Sequence, residues 1–272
     1  MHEIKNVKTE LLVSTRKALH QAVQLVAAFP RNVLPHDETD ESASLIWNSG
    51  AMAFESQPYA SPLGAIKVGL SVPNFELYIH SYGEEYSKLG LEGISVNNGL
   101  RWLKNELGRL GVEKAEEINL NLPYEIEDYN YDQPLVADIQ CLYVLSTMYQ
   151  LTKDVLDLCV KRWTEAYAIR CWPHHFDLAT LIPLAKSEKG ELTKSMGIGL
   201  SPGDDSLTEP YFYINRWPNM KEEELRGINL KSGYWNTSGW TGAVLTFQEL
   251  SEMAGHAQVL EFVDEVSQVL TK

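Results

Sequence analysis

Trp172-Pro173-His174-His175-Phe176-Asp177 is the densest concentration of potential chemistry in the chain, with two of the seven histidines adjacent and a carboxylate two residues on. An imidazole beside a carboxylate suits a general base with its orienting partner, and it equally suits two ligands of one divalent metal ion. Taken as a strand over residues 168–184, the stretch alternates its side chains between two faces. Trp172, His174 and Phe176 then share one face. His175 and Asp177 share the other, their Cα atoms roughly 6.5–7 Å apart. In that register His175 and Asp177 are the candidate catalytic pair and the candidate metal ligands, a divalent metal being the cofactor they would hold. Pro173 donates no ladder hydrogen bond, and a bulge there would turn both histidines the same way. The plain alternative is core. His-x-Asp is a weak signal, no second His/Cys pair stands at ligand spacing, and His174 between Trp172 and Phe176 reads equally as a packed histidine with one hydrogen bond.

A second group of residues suits binding rather than catalysis. Tyr211, Tyr213, Trp217, Trp235 and Trp240 fall in strand and turn patterns, where aromatic rings either line a site for sugars, amines or planar rings or simply fill core. With His174, and with His80 at the end of another strand, Trp240, Tyr211 and Tyr213 make up the candidate ligand-binding set. Asp204, Asp205 and Glu209 lack the alternating oxygens of a calcium loop and read as a solvated turn. Ser201-Pro202-Gly203 has no G-x-S-x-G frame, and Gly197-Ile198-Gly199 lacks the third glycine of a dinucleotide loop.

The elements that must position these groups are legible from periodicity. Residues 8–29 carry an apolar stripe (Leu12, Leu19, Val23, Val26) and predict a helix ended by Pro30. Residues 31–43 read as a polar loop. Short strands follow at 44–47, 51–55, 65–71 and 75–80, with a further one within 82–93. Residues 97–110 predict a helix closed by Gly111, and 118–122 a strand limited by Pro123. An acidic, Tyr-rich connection at 123–134 reads as a solvated linker. Residues 135–166 are the longest helical pattern, with a break expected near Thr152. Beyond the strand at 168–184 come strands at 195–201, 211–217 and 241–247, an irregular stretch at 218–238 and a last helix at 256–270.

The two halves follow the same order. Gly69-Leu70-Ser71 precedes Phe75-Glu76-Leu77-Tyr78-Ile79-His80, and Gly199-Leu200-Ser201 precedes Pro210-Tyr211-Phe212-Tyr213-Ile214-Asn215. Each hairpin follows a Trp-bearing segment and a long helix, and each leads to an amphipathic helix. The expected fold class is therefore α+β, with mostly antiparallel sheet flanked by helices. Two similar halves (8–122 and 135–272) arise by internal duplication and pack as a single compact unit, paired about a pseudo-two-fold.

Trp172 followed by Phe176-Asp177-Leu178-Ala179 resembles a box in a bacterial family of domains of unknown function, where it follows a long helix and precedes a Pro-Gly turn and an aromatic strand. Here Pro173-His174-His175 carries one residue more than that pattern, and the resemblance implies no activity.

Composition restricts the partners. Among 272 residues the formal net charge is −14, so nucleic acid and anionic membranes are poor partners. Cys141, Cys159 and Cys171 are three in number and each lies in an apolar pattern, which suits reduced thiols in a cytoplasmic protein. The expected function is a cytoplasmic small-molecule site, metal-assisted if enzymatic, in a monomer or homodimer. A non-catalytic binding module, or an assembly protein with the box as core, is the alternative.

Overall fold

A computed structural model describes residues 7–35, 41–61, 64–124, 126, 129–251 and 254–272. The chain forms two compact units. An N-terminal unit comprises Val7–Ser146 with Cys171–Phe176, and a C-terminal unit comprises residues 147–170 and 177–272. Helices and two six-stranded antiparallel sheets make the fold α+β, as the periodicities require.

In the N-terminal unit α1 (Thr9–Val33) buries Leu12, Leu19, Val23 and Val26, and from Ala22 to Pro30 every residue is buried. Such a stretch is enclosed on all sides rather than amphipathic. Pro30 does not end the helix: it sits in the last turn, and its carbonyl accepts the Leu34 amide. The strands are β1 (Ile46–Asn48), β2 (Ala53–Glu55), β3 (Tyr59–Ser61), β4 (Gly64–Ser71), β5 (Glu76–Ser81) and β6 (Glu84–Gly90). They run in the order β1-β2-β4-β5-β6, with β3 also on β4. Then α2 (Val96–Arg109) starts at Ser95, whose hydroxyl caps the Asn98 amide, and is followed by Gly111 at φ +76°. Gly99 lets it approach α1, since a Cβ there would stand 2.7 Å from Leu25 Cδ1. Residues 118–122 form no strand, because after the short 3-10 turn Ala115–Glu117 the chain makes side-chain turns at Asn119 instead of a ladder. Of the polar loop 31–43 and the connection 123–134, residues 36–40, 125, 127 and 128 lie outside the described residues.

One unbroken helix, α3 (Ile139–Arg162), replaces the two expected, since the Thr152 hydroxyl donates back to the Met148 carbonyl within the helix instead of capping a new one. The continuous strand expected over 168–184 is also not formed. β7 (Arg170–Trp172) stops at a tight turn, Pro173 to Phe176, in which the Trp172 carbonyl accepts the amides of both His175 (3.1 Å) and Phe176 (2.7 Å). Phe176 has φ +56°. That backbone is costly for an aromatic residue, and it is held by complete burial of the ring against His20 and Phe54.

The C-terminal sheet contains β8 (Asp177–Lys186), β9 (Leu192–Ser201) and β10 (Tyr211–Trp217). After the single turn α4 (Glu222–Leu225) come β11 (Tyr234–Asn236) and β12 (Gly242–Thr246), and α5 (Gly255–Leu270) follows. The order is β11-β12-β10-β9-β8-β7. Both α4 and β11 fall in the stretch expected to be irregular. Cross-strand partners share a face. Leu178, Ile198, Leu200, Phe212, Ile214, Ala243 and Leu245 make one buried face, and Phe262 of α5 packs on that side beside Gly233. Asp177, Gly197, Gly199, Tyr211, Tyr213, Asn215 and Gly242 belong to the other.

The two central hairpins share a register. Gly69 pairs with Tyr78 and Ser71 with Glu76 between β4 and β5; Gly199 pairs with Tyr213 and Ser201 with Tyr211 between β9 and β10. Among the described residues no helix is long and apolar enough to cross a membrane.

Candidate functional site

The outer face of the C-terminal sheet has an unusual floor. Gly197 and Gly199 lie two apart on β9, and Gly242 stands on β12. A Cβ at Gly199 would meet Ala179 Cβ at 2.7 Å, the Tyr213 hydroxyl at 2.8 Å and the Leu178 carbonyl at 2.9 Å. At Gly242 it would meet the Trp240 ring at 2.4 Å, and at Gly197 Asn215 Oδ1 at 2.5 Å. The glycines thus leave room for Tyr213, Trp240 and Asn215 to lie against the backbone. Tyr213 crosses β9 at Gly199 and donates its hydroxyl to Asp177 Oδ2 on β8. One step along, Tyr211 donates to Asp204 Oδ2 at 2.6 Å. Asp204 is fixed in turn by the amides of Ser206 and Leu207 on Oδ1 (2.7 and 2.8 Å). Burial, together with Asp204, pushes the Tyr211 phenol well above its ordinary range, so it stays a donor. Tyr213 stands edge-on to both Tyr211 (centroids 6.5 Å apart) and Trp240 (6.3 Å).

Four of the residues singled out by sequence, Asp177, Tyr211, Tyr213 and Trp240, are therefore gathered on or beside this one face. The other three belong to the N-terminal unit. His174 and His175 lie in the turn after β7, ring to ring at 4.2 Å, with His174 against Tyr124 at 5.1 Å. His175 is exposed and His174 partly so. Because Pro173–Phe176 is a turn, the strand alternation expected to stand His175 beside Asp177 is not formed. Among the described residues no group of three or more His, Cys, Asp and Glu is arranged to hold a metal ion. Beneath the turn, the Pro173 carbonyl accepts from His20 Nε2 (2.7 Å) and Gln24 Nε2 (2.8 Å). His20 stacks on Phe176, and burial lowers its imidazole to about 4, the Pro173 carbonyl opposing and Arg16, His175 and His174 adding to the effect. It is a neutral structural donor.

His80 lies tilted against Tyr78, centroids 4.7 Å apart, on the outer face of the N-terminal sheet. There sequence reasoning missed a second arrangement. Tyr78 lies across Gly69, where a Cβ would meet its Cζ at 2.2 Å, and donates to Glu55 Oε1 on β2 at 2.9 Å. Asn48 (2.7 Å) and Lys67 (3.0 Å) also donate to Glu55. Burial pushes this carboxyl up, and the three hydrogen bonds outweigh it and hold it below its usual range. The signal available was the repeat: a Gly-Leu-Ser strand followed by a strand that places a tyrosine opposite its glycine.

Comparison with protein-family models, curated proteins and solved structures finds no match for the chain.

Proposed function

We propose that the protein is a small-molecule binding module whose site is the outer face of the C-terminal sheet. The observation that carries the reading is the convergence of Asp177, Tyr211, Tyr213 and Trp240 over a glycine floor, with α5 packed on the opposite face. Aromatic rings with a few fixed polar groups are the usual lining of a ligand site. Both phenols are hydrogen-bond donors held by carboxylates, which fixes their rings as walls for a ligand. The module acts in the cytoplasm, a reading supported by three buried cysteines, Cys141, Cys159 and Cys171, that form no disulfide. The net charge of −14 argues against a nucleic-acid partner.

The test is a fragment titration followed by the indole N–H resonance and fluorescence of Trp240, assigned with Trp240→Leu. Fragments with an apolar body and one polar head are expected to shift Trp240 and the Tyr211 and Tyr213 rings together, and Tyr213→Leu to weaken them. Shifts confined to other parts of the chain, or none across the panel, would overturn the reading.

A further inference from the structure

The end of the outer face away from Asp177 is uncharged. By register Gly197, Asn215, Gly242 and Asn236 form one row across β9, β10, β12 and β11. From β8 to β12 neither this row nor the row on each side of it contains a charged residue. Asp177 lies further along: it precedes Leu178, the partner of Leu200, which puts it four residues along β9 from Gly197. At the matching place in the N-terminal hairpin Lys67 pairs with His80. The C-terminal hairpin has a glycine and a carboxamide there, and neither carries charge.

Aromatic and amide groups converge on the uncharged row. The Trp240 indole lies over Gly242, where a Cβ would stand 2.4 Å from the ring, and Asn215 and Asn236 flank that glycine on the two neighbouring strands. Asn236 donates to the carbonyls of Ser238 (3.1 Å) and Trp240 (2.6 Å), which fixes the turn that carries the indole. The Asn215 carboxamide lies over Gly197, its Oδ1 2.5 Å from where a Cβ would be. Trp217, two residues on along β10 and on the same face, is 56% exposed. The Asn215 carboxamide and the indole N–H groups of Trp217 and Trp240 make no hydrogen bond to another described residue.

We infer that the ligand of this face is a neutral saccharide, one pyranose of which lies against Trp217 and Trp240 with vicinal hydroxyls on the Asn215 carboxamide. The inference rests on the binding reading above and narrows it to one chemical class. A pyranose has no charge, and these rows offer none to meet one. Its C–H faces are apolar and slightly positive at hydrogen, which suits the electron-rich face of an indole. Each of its hydroxyls both donates and accepts, and a carboxamide presents a donor and an acceptor side by side, the pattern of a vicinal diol. The two indole N–H groups add donors for ring or hydroxyl oxygens. A charged ligand would lack a fixed counter-charge here. A purely apolar one would cover the carboxamide and the indole N–H groups without pairing them, which is costly.

The experiment titrates the full chain with methyl β-D-glucopyranoside, methyl β-D-galactopyranoside and cyclohexanol, the last having a six-membered ring with a single hydroxyl. Binding is followed by the indole N–H resonances of Trp217 and Trp240. At least one glycoside is expected to shift both indoles and to bind at least about fivefold more tightly than cyclohexanol, the worth of one net hydrogen bond. Asn215→Leu is expected to remove that preference, and Trp217→Leu to weaken the glycoside at least about fivefold; circular dichroism checks that each variant is folded. Cyclohexanol binding as tightly as both glycosides overturns the inference and leaves the small-molecule reading standing. A glycoside preference unchanged by both Asn215→Leu and Trp217→Leu also overturns it, because the sugar is then held elsewhere. If no glycoside, cyclohexanol or other fragment perturbs the Trp240 face, the binding reading itself has failed and the inference falls with it.

Discussion

Tyr213 reaches Asp177 by passing over Gly199, so a residue without a side chain on the middle strand lets residues on its two neighbours bond. Tyr78 reaches Glu55 over Gly69 in the same way. The glycines are the enabling parts. At Gly199 an added methyl meets the Leu178 backbone oxygen at 2.9 Å as well as the movable phenol, so the ring cannot relieve the whole clash. Gly199→Ala is expected to destabilise the protein by about 1–3 kcal/mol through overpacking. Tyr213→Phe removes only a hydrogen bond to a charged group, costing about 1.5–3 kcal/mol. In the Tyr213→Leu background Gly199→Ala keeps part of its cost, which chemical denaturation of the four proteins in the cycle would show. Full relief in that background would mean that the ring alone sets the constraint.

Acid should weaken the fold through His20. Its folded value, about 4, lies below the ordinary 6.5 because burial disfavours the imidazolium. The unfolded chain therefore binds the extra proton across that interval, and stability is fully present above about 6.5 and falls as pH drops toward 4. At about 1.4 kcal/mol for each unit of difference, the loss is about 3 kcal/mol across the window. His20→Gln keeps a donor for the Pro173 carbonyl and removes the titration. Its stability should be flatter between pH 6.5 and 4 in urea melts run at several pH values, and an unchanged slope would assign the acid sensitivity elsewhere. Glu55, held below its usual range by Asn48, Lys67 and Tyr78, has the same sign in a lower window: its contribution is present above the unfolded carboxyl value and is lost as pH falls through the folded one.

The thiols give a third test. Cys141, Cys159 and Cys171 are buried and form no disulfide, and burial pushes Cys141 and Cys159 up to about 11. All three are expected to resist a thiol reagent at pH 8 in the native protein and to react together on unfolding. Mass spectrometry of the non-reduced protein should find no disulfide among them.

The helices and the hairpins were legible because their signals are local. A stripe of Leu12, Leu19, Val23 and Val26 fixes the buried side of α1, and turn residues between alternating runs mark β4–β5 and β9–β10. That Tyr211 and Tyr213 share one face of the sheet was legible too, since they sit two apart on one strand. The turn at Pro173–Phe176 was not. Alternation of Trp172, His174 and Phe176 suits a strand, and only distant groups, the His20 and Gln24 donors and the pocket around Phe176, make a left-handed phenylalanine the better solution. Glu55 escaped notice for a similar reason: Ala53-Phe54-Glu55 reads as a strand with its polar residue outward, and its three donors come from residues as far off as Tyr78. The missed β11 and α4 have three and four residues, too few to show a period.

The turn offers the last prediction, and it reverses the weight that a strand would have given its residues. Phe176 is fully buried, stacked on His20 with centroids 5.3 Å apart and tilted against Phe54 at the same distance. Phe176→Ala should cost about 3–5 kcal/mol, partly offset by whatever strain the φ of +56° imposes. His175 is exposed, so His175→Ala should stay within about 0.5 kcal/mol of wild type. His174, partly exposed and touching Trp172, Tyr124 and His175, should fall between them. Thermal and urea melts of the three alanine variants, with Trp172 fluorescence as the local probe, order them directly. Were His175→Ala the most damaging of the three, residues 173–176 would be a strand with His175 inward, and the turn that separates it from Asp177 would have to be abandoned.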